Sequence, residues 1–177
     1  MRETVKPILI AASLFLFFLT MPLGKALHQP YLAWGIEEIE KVEVDIEPGF
    51  CPNPLEAGSK GTFQVAILGT VQMDVTSIDP GSIRLEGVSP TGYRKEDVST
   101  PIADRQDICD CTIEEGDGID DLVFDFDCSK ILSTMGDIGE GDVAVLTITG
   151  ELRDGTPIEG EDCIVIQKPC DRNMNKE

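Results

Sequence analysis

The densest concentration of chemically able side chains is Glu114-Glu115-Gly116-Asp117-Gly118-Ile119-Asp120-Asp121, with Asp125 and Asp127 just beyond it. Hard cations such as calcium take several oxygen ligands from a loop that can bend. Gly116 and Gly118 flank Asp117 and let the backbone turn so that carboxylates converge. Glu115, Asp117, Asp120 and Asp121 are therefore candidate calcium ligands, and calcium is the one cofactor this chain invites. The segment is not an EF-hand. Aligning Gly118 with the turn glycine of that loop puts Ile113 at the first ligand position and Phe124 at the last. The competing reading is an Asp-Gly turn that leads into a strand with its acids facing water. Glu159-Gly160-Glu161-Asp162 and the stretch from Asp137 to Asp142 read as further acidic turns, either of which could complete a cation site.

Other chemistries lack their parts. The only histidine, His28, lies ahead of the folded region, so no Ser-His-Asp or Cys-His arrangement and no histidine-based zinc site is available. Gly136-Asp-Ile-Gly139 lacks the lysine and hydroxyl residue of a phosphate loop. Carboxylate chemistry remains, because a glycosidase needs only two acids at the right distance. In a chain with 33 acidic residues some pair satisfies any spacing, so that signal has little weight. The expectation is a protein with no catalytic activity. The alternative is a small carboxylate-dependent hydrolase or an inhibitor.

Six cysteines punctuate the chain: Cys51, Cys109, Cys111, Cys128, Cys163 and Cys170. In an exported protein an even number reads as disulfides. Cys109 and Cys111 are too close in the chain to pair with each other without strain, so each is expected to bond elsewhere. Cys109-Asp110-Cys111 has no second closely spaced pair or nearby histidine to make a zinc site.

Export itself is expected from residues 1–26. A weakly basic start, Met1 to Lys6, precedes an apolar run from Ile8 to Leu19, and Gly24-Lys25-Ala26 supplies small residues at a cleavage site. That is the plan of a secretory signal peptide. A membrane-spanning helix needs roughly 20 apolar residues, more than this run contains. The protein is thus expected to be secreted: extracellular, periplasmic or on the cell surface. Its formal net charge is −19, and loss of the leader removes three bases and one acid. Such a chain repels nucleic acid and anionic membrane surfaces. The partners left are cations, proteins and glycans. Trp34, Tyr31 and Tyr93 are the residues suited to stacking on a sugar.

The elements that must position these groups are short strands. Residues 27–40 read as a lead-in segment. Val42, Val44 and Ile46 alternate with Glu43, Asp45 and Glu47, which predicts a half-buried strand. Phe63, Val65 and Ile67 line one face of another. Ile83 and Leu85 predict a third with Arg84 and Glu86 outward. Leu122, Phe124 and Phe126, then Ala144, Leu146 and Ile148, and finally Cys163 to Gln167, predict three more. Glu47-Pro48-Gly49, Asp79-Pro80-Gly81, Asp117-Gly118 and Asp154-Gly155 are turns between them. One short helix is expected, capped by Ser129, facing the core with Ile131, Leu132 and Met135, and ended by Gly136. The fold class is all-β: a single β-sandwich over residues 41–168, Ig-like or related, disulfide-stabilised, with a tail at 169–177.

Several strings carry a resemblance. They are Val44-Asp-Ile-Glu-Pro-Gly-Phe-Cys-Pro-Asn-Pro-Leu55, Val65-Ala-Ile-Leu-Gly-Thr70, Ile78-Asp-Pro-Gly-Ser-Ile-Arg-Leu-Glu-Gly-Val88, Asp117-Gly-Ile-Asp-Asp-Leu122 and Asp154-Gly-Thr-Pro-Ile-Glu-Gly-Glu-Asp162. Together they resemble a recurring uncharacterised domain of secreted and surface proteins of bacteria and archaea, over about residues 41–168. The resemblance implies secretion and a compact β-rich module, and brings no activity with it. It also implies that Cys51, Cys109, Cys111 and Cys163 form a shared set. Cys128 and Cys170 would then be an added pair that ties the tail to the helix start.

Overall fold

The computed structural model describes residues 38–58 and 60–168. The expected leader, His28, Tyr31, Trp34 and the tail with Cys170 lie outside the described residues, and so does the expected Cys128–Cys170 pairing. In chain order the elements are β1 (Glu40–Lys41), β2 (Val44–Ile46), β3 (Pro54–Glu56), β4 (Thr62–Ile67), a 3-10 turn (Val75–Ser77), β5 (Arg84–Leu85), β6 (Gly92–Glu96), β7 (Asp121–Asp127), α1 (Cys128–Thr134), β8 (Val143–Glu151) and β9 (Pro157–Gln167).

Two sheets result. The first runs β1-β9-β8-β5, and β3 joins β9 parallel on the edge that β1 also uses. The second runs β2-β4-β7-β6 and is antiparallel throughout. Period-two alternation explains their central strands. Phe63, Val65 and Ile67 of β4 stand opposite Phe126, Phe124 and Leu122 of β7. Leu146 and Ile148 of β8, with Ile164 and Ile166 of β9, present the other sheet's inner face, and all of these side chains join one buried cluster. Burial of each such side chain stabilises the fold by ~1.5–3 kcal/mol. The expected all-β, sandwich-like arrangement with one short helix is what these sheets form.

Local differences from the expectation have physical causes. β9 runs from Pro157, so Glu159 to Asp162 lies inside a strand, not in an acidic turn. Its inward positions are Ile158, Gly160, Asp162, Ile164 and Ile166, and the glycine and the aspartate hide the alternation. At Gly160 an added Cβ would collide with Val44 and the Val42 carbonyl, so the close approach of β1–β2 to β9 requires glycine. The edge strand β6, Gly-Tyr-Arg-Lys-Glu, carries no apolar alternation and is not predicted from pattern; charge suits an edge. The helix cap is Asp127, not Ser129. The Asp127 carboxylate accepts from Lys130 N at 3.1 Å and from the Ser129 hydroxyl at 2.5 Å. Gly136, at φ +70°, follows the helix as expected.

The largest difference concerns β2, which was expected to be half-buried. All three of its residues are buried, Asp45 included. The outer face of the second sheet is covered, because Val98 packs on Ala66, Leu68 and Val123 there. Two disulfides hold the long segment between β6 and β7: Cys51–Cys111 and Cys109–Cys163. Cys109 and Cys111 thus bond elsewhere as expected, and the four cysteines grouped by the resemblance pair among themselves. Cys128 is buried at the start of α1.

Candidate functional site

Three aspartates are drawn inside, and each acts as an acceptor. Asp121 is 1 % exposed. Its Oδ1 accepts from Gly69 N at 2.8 Å, and its Oδ2 accepts from Val98 N at 2.9 Å and Ser99 N at 3.2 Å. Asp45 accepts the Ser99 hydroxyl at 2.5 Å. Asp162, on β9, accepts Ile46 N and Asn53 Nδ2 at 2.9 Å each, so one carboxylate ties the first sheet to β2 of the second. Its other oxygen accepts Cys163 N. Asp121 and Asp45 together clamp Val98 and Ser99 over the second sheet. Burial costs an ion its hydration and favours the protonated acid. It raises Asp121 and Asp162 above the usual carboxylate range. It pushes Asp45 up to about 6, against the Ser99 hydrogen bond, with the charge of Asp162 adding, that of Arg105 opposing and that of Asp121 adding.

Asp45 and Asp162 are the pair that most resembles a hydrolytic dyad. They border a void of only about 10 Å³ that Arg105 also lines. A space of that size takes at most one water. No sugar ring or peptide reaches these acids in this fold.

The candidate calcium ligands are not gathered around one point. Asp121 points inward, as described. Asp120 accepts a 2.6 Å ion pair from Lys95 Nζ. Asp117 Oδ1 accepts from Ile119 N at 2.9 Å, closing an Asx turn. Glu115 meets the Thr100 hydroxyl through its main-chain carbonyl at 2.6 Å. Asp97 supplies the carboxylate for Gly118 N at 2.8 Å, and Gly118 has φ +93°. Among the described residues, no three acidic, cysteine or histidine side chains converge in a way that could hold a metal ion.

A different feature has the form of a binding site. An open cleft of about 550 Å³ lies where the edge strands β5 and β6 of the two sheets meet, within the size range of ligand pockets. Its wall carries Arg84, Arg153, Tyr93 and Asp79, with Pro80 and Pro90 as stiff supports. Tyr93 shares a face with its partner Phe124 and rests on that ring, with centroids 6.1 Å apart, yet is 58 % exposed. It is an aromatic surface with a fixed back and an open front. Lys41, Arg94, Lys95, Arg105 and Lys168 each meet a carboxylate. Arg84, Arg153, Lys60 and Lys130 form no ion pair with a described residue, and of these four only the two arginines line the cleft.

Main-chain carbonyls position both arginines. Arg84 Nη1 donates to Ile83 O at 2.6 Å and Gly81 O at 3.1 Å, which leaves its Nε and Nη2 donors for a ligand. Arg153 Nε donates to Thr76 O at 3.0 Å, which leaves both terminal nitrogens. Asp79 Oδ1 accepts Gly81 N at 3.1 Å. The sequence reading identified Tyr93 as a stacking residue and Arg84 only as outward-facing, and it passed over Arg153. The available signal was the excess of acids over bases, against which two arginines on one cleft wall stand out. No protein-family model, no curated protein and no solved structure matches this chain.

Proposed function

We propose that this chain is a non-catalytic, secreted binding module, an Ig-like or related sandwich of the recurring secreted-domain type it resembles. It contacts a protein or glycan through the cleft between β5 and β6. One observation carries the reading: a strongly acidic chain leaves Arg84 and Arg153 without a carboxylate partner among the described residues, in the same cleft as an exposed, back-supported tyrosine. The two disulfides support folding in an oxidising compartment. The burial of Asp45 and Asp162 beside a one-water void supports their role as structural acceptors, not as the acid and base of a hydrolase.

The test has two arms. A panel of soluble neutral and acidic glycans and peptides is titrated against the 15N-labelled protein, with the amide signals of residues 79–93 and 153 as the readout. The same panel is assayed for product. Ligand-dependent shifts confined to the cleft, without turnover, are expected. Turnover abolished by Asp45→Asn or Asp162→Asn would establish the hydrolase instead.

A further inference from the structure

We infer that the cleft selects a glycan bearing a carboxylate on its sugar ring, of the hexuronic acid class. This rests on the binding-module reading above and adds the ligand's chemistry. A guanidinium is planar and matches a carboxylate with two parallel N–H donors. Arg84 offers such a pair along its Nε–Nη2 edge, and Arg153 offers one at its Nη1 and Nη2 end, because backbone carbonyls occupy the remaining donors. Both guanidiniums are pre-oriented, so little side-chain freedom is lost on binding.

The rest of the wall fits a sugar better than an acidic peptide. Asp79 is itself an acceptor, with its second oxygen engaged by no described residue. A ligand made only of carboxylates is repelled there. One that carries hydroxyl donors beside its carboxylate satisfies Asp79 and the arginines together. The Ser89 and Thr91 hydroxyls line the same cleft. Tyr93, backed by Phe124, offers an apolar ring face to the C–H face of a pyranose. The net negative charge of the protein does not forbid an anionic ligand. At physiological ionic strength the Debye length is ~8 Å, so distant acids are screened and the two arginines of the cleft, against the single carboxylate of Asp79, set the local field.

The experiment is calorimetric titration of the protein, in 0.15 M salt, with five probes: a galacturonic acid tetrasaccharide, its methyl ester, the corresponding neutral galactose oligomer, a sulfated galactose oligomer and a glutamate hexapeptide. The acidic tetrasaccharide is expected to bind at least about tenfold more tightly than its ester or the neutral oligomer. Arg84→Gln and Arg153→Gln are each expected to weaken it about tenfold, which is ~1.4 kcal/mol. Tyr93→Ala should weaken ester and acid alike, since stacking does not sense the charge. Circular dichroism confirms that each variant is folded. Equal binding of acid and ester overturns the inference while leaving the module reading intact. A sulfated oligomer that binds as tightly as the acid overturns selection of carboxylate. Tighter binding of the glutamate peptide replaces the glycan by a peptide. No binding of any probe at millimolar concentration, with variants indistinguishable from wild type, removes both readings.

Discussion

Asp45 gives the sharpest test of how this fold accommodates its charge. Its carboxyl titrates at about 6 in the folded protein and at 3.8 without the fold, because burial disfavours the ion. That gap corresponds to about 3 kcal/mol. The sign follows from proton binding. Between pH 3.8 and about 6 the native state holds a proton that the unfolded chain has released, so stability falls as pH rises through this window. Above pH 6 the folded protein bears the full cost of a buried anion. Asp162 and Asp121 are shifted in the same direction. Asp74, Asp110, Asp127 and Asp154 are held low by hydrogen bonds and act oppositely at lower pH. Asp45→Asn separates one contribution from the rest. The amide oxygen still accepts the Ser99 hydroxyl, and nothing at the position ionises. Urea unfolding with disulfides intact should show the variant more stable than wild type by about 2–3 kcal/mol at pH 8 and by less than about 1 kcal/mol at pH 4. A difference that does not change with pH, or a variant less stable than wild type at pH 8, refutes the reasoning.

Asp121→Ala deprives three backbone N–H groups, those of Gly69, Val98 and Ser99, of their acceptor and should cost on the order of 3 kcal/mol in urea unfolding. A loss below about 1 kcal/mol would mean that water replaces the carboxylate. The paired change Cys51→Ser with Cys111→Ser opens a link spanning 60 residues and should cost about 4 kcal/mol by chain entropy, read from the same unfolding curves. Gly160→Ala forces β9 away from Val44 and should lower stability by about 1–3 kcal/mol, the usual range for overpacking; an unchanged melt would show that the strands separate freely. Calcium and sodium at equal ionic strength should raise the melting temperature alike, because Asp121 and Asp120 already have partners. A calcium-specific rise that Asp117→Ala abolishes would show that the loop rearranges around the ion.

Much of the frame is legible in the sequence where one sheet face is apolar and the other meets water. The triplets Phe63-Val65-Ile67 and Leu122-Phe124-Phe126 announce their strands because alternation and burial coincide, and they end up opposite one another. Legibility fails where a second layer covers the outer face. Asp45 sits at a position that alternation assigns to solvent, yet the Ser99 hydroxyl reaches it from the segment that covers the sheet. That cover comes from a disulfide-tied segment without strand periodicity, so nothing near Asp45 in the chain signals it. Asp162 fails in the opposite way. It occupies an inward position of β9 that alternation assigns to an apolar residue, and only the Ile46 N–H arriving from the other sheet explains it.

The same asymmetry applies to the acidic loop. Charge density along the chain draws attention to residues 114–127, but one-dimensional crowding says little about convergence. In space the fold disperses that cluster: one acid turns inward, one pairs with Lys95, and one closes its own turn. Sparse residues are more informative in this composition. In a chain with 33 acids to 14 bases, two arginines that line one cleft without an ion pair to any described residue are harder to account for by surface chance than a group of aspartates. Both are also fixed by backbone carbonyls that folding supplies, from Gly81, Ile83 and Thr76. Their placement therefore follows from the turns that flank β5 and β8 in the first sheet. The cleft thus brings together fixed cations, an aromatic face and a carboxylate, whereas the carboxylates of the acidic loop are engaged one by one by neighbouring donors.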